Sequence, residues 1–382
     1  MIRSFNKKKV DFTKEYMFFG EQPNVSRFDV QKFDIFKKLY EKQLGFFWKP
    51  DEVDLSKDNR DFADLPANEQ HIFVKNLLFQ SLLDSVQSRA PALALIPHVS
   101  LPELESIIEL WTAFESLHNF SYQWIINGIF ADSAHVLDGI IDDQHILNRA
   151  DSVTKYYDDF MDYSAWYRVL GRGKHTITSE VDGETTVRTF DLNERELKRR
   201  LMLCIASVNV LEGVRFYASF ACSFAFAERG VMEGNAKIIS LIARDENLHL
   251  AITQNILKKW ANGEDDPEMA QLWQESIGEI TQMYLDCVEQ EKEWSAYLFK
   301  DGPMLGLTED MLNDFTGHIA GKRMKAIGLK HSFPAKNSMG WTDKYLNGAD
   351  NQVAPQETEI TSYTVGGVSH DISTGSFLDL DF

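Results

Sequence analysis

Two Glu-x-x-His pairs, Glu115/His118 and Glu246/His249, sit 131 residues apart, each inside an apolar stretch of helical periodicity. A spacing of three brings both side chains onto one face of a helix, one turn apart. Ionised groups are not left bare in a core, so a carboxylate and an imidazole on an apolar face demand a charged or metallic partner. Two more acids, Asp84 and Glu212, occupy apolar helical runs of their own. Val208 and Phe216 share the face of Glu212 at i±4; Gln80 and Ser88 share that of Asp84. Four inward carboxylates and two imidazoles on four helices are the parts of a bundle that holds two metal ions side by side.

Spacing alone is weak support. Ten histidines and 58 acids in 382 residues give about 1.5 acid-x-x-His coincidences by chance, and the chain has four. The other two, Asp132/His135 and Asp142/His145, lie in polar surroundings near a helix start, where Asp commonly caps. They are set aside as solvated. For each retained acid taken singly, a buried salt bridge or an amphipathic helix edge is the plainer explanation. The set of four segments outweighs it.

The ligand chemistry is coherent. An oxygen-rich site with one imidazole per metal suits Fe or Mn, whereas zinc sites favour thiolates or several histidines. Four carboxylates neutralise two divalent ions. Tyr122 lies four residues after His118 and seven after Glu115, on the same helix face, so a phenol stands beside the metals without being a ligand. Phe114, Phe120, Phe216 and Phe220 are expected to form a dry shell around it. These features point to metal-dependent oxidation with Tyr122 as the recipient of the oxidising equivalent.

Bulk properties narrow the setting. The net charge of −19 argues against nucleic acid as a partner. Three cysteines, Cys204, Cys222 and Cys287, form no CxxC or zinc spacing, which fits a reducing compartment. Met1 to Lys9 has no apolar core of a secretory signal, so a cytoplasmic location is expected. The apolar zone 201–227 is long enough to span a bilayer, but Glu212 and Arg215 interrupt it; it reads as a helix buried in protein, not in lipid.

Along the chain, residues 1–30 read as an irregular arm and 31–346 as an all-α core. Helices are expected from Pro66 to about Ala90, from Pro102 to about Phe130 with Ser100 as cap and Glu103 completing a capping box, from an Asn193 cap to about Glu228, and onward to about Asn262. HTITSEVDGETTVRTF (175–190) alternates around Asp182-Gly183 and predicts one small peripheral β-hairpin over about 174–190. Residues 347–382 are polar and Gly-rich and end in a hydrophobic–acidic cluster; they read as a flexible tail that docks on a partner.

The runs YMFFG (16–20), GFFWKPDEV (45–53), LLDSVQ (82–87), NVLEGVRFY (209–217), FACSFAFA (220–227), MEGNAKII (232–239), ARDENLHL (243–250) and VAPQE (353–357) give the chain a specific resemblance. Over nearly its whole length it resembles the radical-generating small (R2, beta) subunit of class I ribonucleotide reductase. The resemblance implies a ferritin-like bundle that forms a homodimer. It implies Asp84, Glu115, His118, Glu212, Glu246 and His249 as ligands of two Fe ions, alternatively Mn or mixed Mn/Fe, and Tyr122 as a stable radical. It implies Trp48 and Asp245 as the link, through His118, to the surface. Tyr363 and Glu357 in the tail would pass the oxidising equivalent to the large (alpha) subunit, on which the last residues dock and which reduces ribonucleoside diphosphates. One departure stands out: the family usually has Ser before the first ligand Glu and Ser-Arg after the His, where this chain has Phe114 and Asn119-Phe120. Two other uses of the same ligands stay open on residues alone: a diiron oxidase with its own substrate, and metal storage in a cage.

Overall fold

The computed structural model describes residues 5–181 and 184–346; Tyr363, Glu357, the tail and the expected Asp182-Gly183 turn lie outside them. The helices are α1 (Asp34–Leu44), α2 (Ser56–Asp64), α3 (Ala67–Gln87), α4 (Ala90–Leu95), α5 (Pro102–Ile129), α6 (Ser133–Asp138) and α7 (Gln144–Leu170). A hairpin follows, β1 (Gly173–Val181) and β2 (Glu184–Leu192), then α8 (Glu194–Val210), α9 (Phe216–Ala227), α10 (Glu233–Ala261), α11 (Pro267–Leu298), α12 (Glu309–Ala326) and α13 (Asp343–Leu346). The two strands pair antiparallel with Gly173 opposite Leu192 and form the one sheet among the described residues. The hairpin docks on the bundle through Trp166, whose ring lies 4.7 Å from that of Phe190.

Local chemistry sets several helix starts. Asn193 accepts from the Glu196 amide, Asp132 from His135, Asp266 from Glu268 and Thr308 from Met311. α10 has no such residue of its own, since Met232 at its start is left-handed (φ 54°). Asp58 of α2 caps it from outside, accepting from Gly234 (3.1 Å) and Asn235 (2.6 Å). Gly234 is required there, because a Cβ would lie 2.7 Å from the Asp54 carbonyl oxygen.

Two expectations need correction. Ser100 does not cap α5: its hydroxyl accepts from the Gly20 amide (2.8 Å), and Glu103 accepts from the amides of Lys32 and Phe33 instead of closing a capping box. The N-terminal arm claims both side chains. Nor is 194–227 a uniform α-helix, for Leu211–Arg215 widens into a π-turn. The segment is long enough to cross a membrane and apolar enough over part of its length, yet that part is entirely buried in the bundle. α3, α5, α10 and the π-turn carry the six candidate ligands.

Candidate metal centre

Asp84 comes from α3, Glu115 and His118 from α5, Glu212 from the π-turn, and Glu246 and His249 from α10; all six are fully buried. His118 Nδ1 lies 3.0 Å from Glu246 Oε1, 3.5 Å from Glu115 Oε2 and 3.8 Å from Asp84 Oδ2. His249 Nδ1 lies 2.9 Å from both Glu115 Oε1 and Glu246 Oε2. Ligand atoms of the two Glu/His pairs all fall within 4.8 Å of one another. Glu115 and Glu246 therefore each reach both imidazoles, as carboxylates spanning two ions must.

Both rings turn Nδ1 inward and tie Nε2 outward. His118 Nε2 is 3.1 Å from Asp245 Oδ2, and His249 Nε2 is 2.7 Å from the amide of Gln43. With Nδ1 on a metal, Nε2 carries the proton, which the Asp245 carboxylate accepts at His118; at His249 the Gln43 atom that faces Nε2 is the amide nitrogen, itself a donor. The π-turn is pinned by Arg323, which donates to the Gly213 carbonyl (3.3 Å) and fills the space of a side chain there: a Cβ on Gly213 would meet Arg323 Cγ at 3.0 Å. Such turns mark sites where a helix re-aims a residue, here Glu212.

The electrostatics show what is missing. Both oxygens of Asp84, Glu115 Oε2, Glu212 Oε2, Glu246 Oε1 and His118 Nδ1 are buried with no hydrogen-bond partner. Burial, then Glu115 and Glu246, push the Asp84 carboxyl well above its ordinary range; burial and the same two acids do so for Glu212. Burial disfavours a charged imidazole, but Asp245, Glu115 and Glu246 outweigh it at His118, and Glu115 and Glu246 hold His249 at about 9. Glu246 stays well below its usual range beside the two rings, which offset its burial. Four acids thus face too little positive charge, with orphaned acceptors aimed inward. Two divalent cations with Fe or Mn preferences fit this donor set, and their binding would release the imidazole protons.

Tyr122 is fully buried and its hydroxyl has no hydrogen-bond partner. Burial, then the charges of Asp84 and Glu246, push its ionisation well above the ordinary range. Phe216 and Phe220 are fully buried and stacked (5.6 Å), and Phe114 is buried against Phe47. Phe216 and Phe220 share one core cluster with Tyr122, whereas Phe120 cannot shield it: it is 53% exposed, because two residues from His118 is about 200° around the helix. Asn119, the other departure, bridges α5 to α3 by donating to Ser81 O and Ser85 Oγ.

Trp48 and Asp245 also meet at the site. Trp48 Nε1 donates to Asp245 Oδ2 (2.8 Å), the oxygen facing His118, and the Trp48 and His118 rings stack at 6.5 Å. Sequence reasoning missed a layer of neutral donors behind the ligands. Trp111 donates to Glu115 Oε1 (2.6 Å), and Gln87 donates to Glu212 Oε1. The i−4 step from Glu115 and the i+3 step from Asp84 were the available signals. The pairs Asp132/His135 and Asp142/His145 are exposed, as expected.

A bundle with four carboxylates and two imidazoles closing on one buried point defines a ferritin-like dinuclear metal protein. The family model "Ribonucleotide reductase, small chain" matches residues 27–338. A Salmonella typhimurium relative, "Ribonucleoside-diphosphate reductase 1 subunit beta", is 48% identical over 97% of each chain. A ribonucleotide reductase R2 subunit from Clostridium botulinum superposes with a TM-score of 0.75 at 26% identity, over 91% of this chain and 98% of that one. A dimanganese(II) protein from Streptococcus sanguinis shares the fold (TM-score 0.64, 19% identity, 85% and 99% covered). The chain belongs to the ribonucleotide reductase small-chain family and is the beta-type subunit of a class I ribonucleoside-diphosphate reductase, an oxidoreductase.

Proposed function

We propose that Asp84, Glu115, His118, Glu212, Glu246 and His249 hold two metal ions, iron by first preference with manganese or a mixed pair as alternatives, and that Tyr122 stores the oxidising equivalent as a neutral radical. The ions, when bound, supply reduction of O2 or a related oxidant and draw one electron from the phenol. The protein's part is to keep Tyr122 protonated until then, to exclude water from it, and to receive its proton. Asp84 is the carboxylate whose charge acts most strongly on the phenol. From there the hole moves through His118, Asp245 and Trp48, whose hydrogen bonds and stacked rings form an unbroken line. Tyr363, with Glu357, then carries it along the docked tail to the large subunit, where ribonucleoside diphosphates are reduced. We assign the working form as a cytoplasmic homodimer bound to that subunit.

The observation that carries this reading is the pairing of orphaned, fully buried ligand atoms with an unpaired, fully buried phenol. The test is electron paramagnetic resonance on iron-loaded, oxygenated protein. A tyrosyl radical is expected, absent in Tyr122→Phe with metal content unchanged. A radical that survives that substitution, or none in the parent at full loading, overturns the assignment.

A further inference from the structure

Behind Glu212 lies a hydrogen-bond relay that the metal ligands do not account for. Gln87 Nε2 donates to Glu212 Oε1, and the Tyr157 hydroxyl donates to Gln87 Oε1 (3.1 Å). Three helical segments meet in it: α7 gives Tyr157, α3 gives Gln87 and the π-turn gives Glu212. Gln87 and Glu212 are fully buried and Tyr157 is 1% exposed, so water does not substitute for any link. The order of donors matters. A glutamine amide has a donating and an accepting end, and either can face a neighbour. The ionised carboxylate only accepts, so it takes the N–H end; the tyrosine hydroxyl donates to the carbonyl left at the other end and holds the amide there. Turned the other way, a carbonyl oxygen would oppose Glu212 in a dry core, an unsatisfied contact.

The consequence falls on the ligand. Glu212 Oε1 is occupied by the amide, while Oε2 has no partner and remains for a metal. Trp111 is likewise a neutral N–H donor on Glu115 Oε1, though there the same oxygen also lies 2.9 Å from His249 Nδ1. A neutral donor leaves the charge on the ligand, and at Glu212 it leaves one oxygen to present. Glu212 needs this more than the others, because it sits on the π-turn rather than on a regular helix.

We propose that Gln87 and Tyr157 are positioning residues for Glu212, Tyr157 holding the Gln87 amide in place and Gln87 committing Glu212 to the metals through one oxygen. This rests on the metal-centre reading above, and the test separates the two. Full-length parent, Tyr157→Phe and Gln87→Met proteins are titrated with Mn(II) alone, free Mn(II) being read by electron paramagnetic resonance, alongside thermal unfolding of the metal-free forms. Outer hydrogen-bond partners of metal ligands are worth about 10–100-fold in affinity. The expected result is two ions bound by the parent, with one of the two affinities lowered about tenfold in Tyr157→Phe and about a hundredfold in Gln87→Met, the other affinity and the metal-free unfolding temperature staying put. Unchanged titrations in both variants overturn the proposal. So does a loss of both affinities in step with a fall in unfolding temperature, which marks the relay as ordinary packing. A parent that binds no pair of ions removes the metal-centre reading itself, and the relay with it.

Discussion

Two of the charge clusters buried in the bundle are built on opposite plans. At the metal centre, four acids and two imidazoles leave inward-facing acceptors without partners. On the other side of the π-turn, one acid lies between two bases. Glu291 accepts from Arg149 Nε (3.1 Å) and Nη2 and from Arg215 Nη1 (3.0 Å), so both its oxygens are taken. Arg215 also donates to Ser152 and Gln290 (2.6 Å each). The Arg149 guanidinium stacks 3.3 Å from the Phe79 ring centroid, and burial lowers its ionisation to about 10, still charged. Glu212 and Arg215, three residues apart on one turn, thus face different problems. Burial is common to both clusters and does not separate ligand from strut; orphaned acceptors do, for the atoms left unpaired around Glu291 are donors, Arg149 Nη1 and Arg215 Nε.

The sharpest way to break the comparison is to remove Glu291. Two guanidiniums would then share a dry site without a counter-charge. Glu291→Ala is expected to destabilise the protein by about 3–5 kcal/mol in denaturant unfolding, a typical penalty for one lost partner of a buried pair. Metal stoichiometry of the folded fraction should stay at that of the parent. If metal binding fell while stability held, the two clusters would have been assigned the wrong way round.

The reciprocal change is Asp84→Asn. Metal at a thousand times its dissociation constant should raise parent stability by about 4 kcal/mol per bound ion, because only the folded state offers the site. The variant should lose most of that increment. Without metal it should be no less stable than the parent, and more stable by about 1 kcal/mol if relief of like charge dominates, since burial and the neighbouring Glu115 and Glu246 already oppose the Asp84 anion. A metal-free variant destabilised like Glu291→Ala would make Asp84 a structural acid.

The sequence made the acids of the metal centre legible and much of their support illegible, for a physical reason. Glu115/His118 and Glu246/His249 announce themselves because charge at i,i+3 conflicts with the apolar helix around it. Gln87, Tyr157 and Gln43 make no such conflict: a lone neutral polar residue in an apolar run reads as ordinary, and its partners lie 70 to 206 positions away. The π-turn was hidden likewise, for what holds it is Arg323, 110 residues downstream of Gly213. Local signals also lost where a distant segment competed. Ser100 and Glu103 have the chemistry of a capping box but serve Gly20, Lys32 and Phe33. Phe120 failed for the simplest reason, since nearness in sequence to Tyr122 was taken for nearness in space.

His98 shows a third plan, with neither metal nor counter-charge, and it sets the smallest effect. Its ring lies between Phe19 and Phe160, 5.2 Å from each, beside the positive charge of Arg168. Burial, then Arg168, lowers its ionisation from 6.5 to about 4, so at neutral pH it is uncharged in both folded and unfolded chains and contributes no pH dependence. Below 6.5 the unfolded chain takes up a proton that the folded one refuses. Stability should therefore fall with pH between 6.5 and about 4, at up to about 1.4 kcal/mol per unit, and gain no further slope from this group below that. Between pH 7 and pH 5 the parent should lose about 2 kcal/mol more than His98→Gln in metal-free denaturant unfolding. The ligand carboxylates titrate equally in both proteins and cancel in that difference. Equal losses would mean that the His98 proton is accommodated in the fold, and that burial without a partner is tolerated here more cheaply than the Glu291 cluster implies.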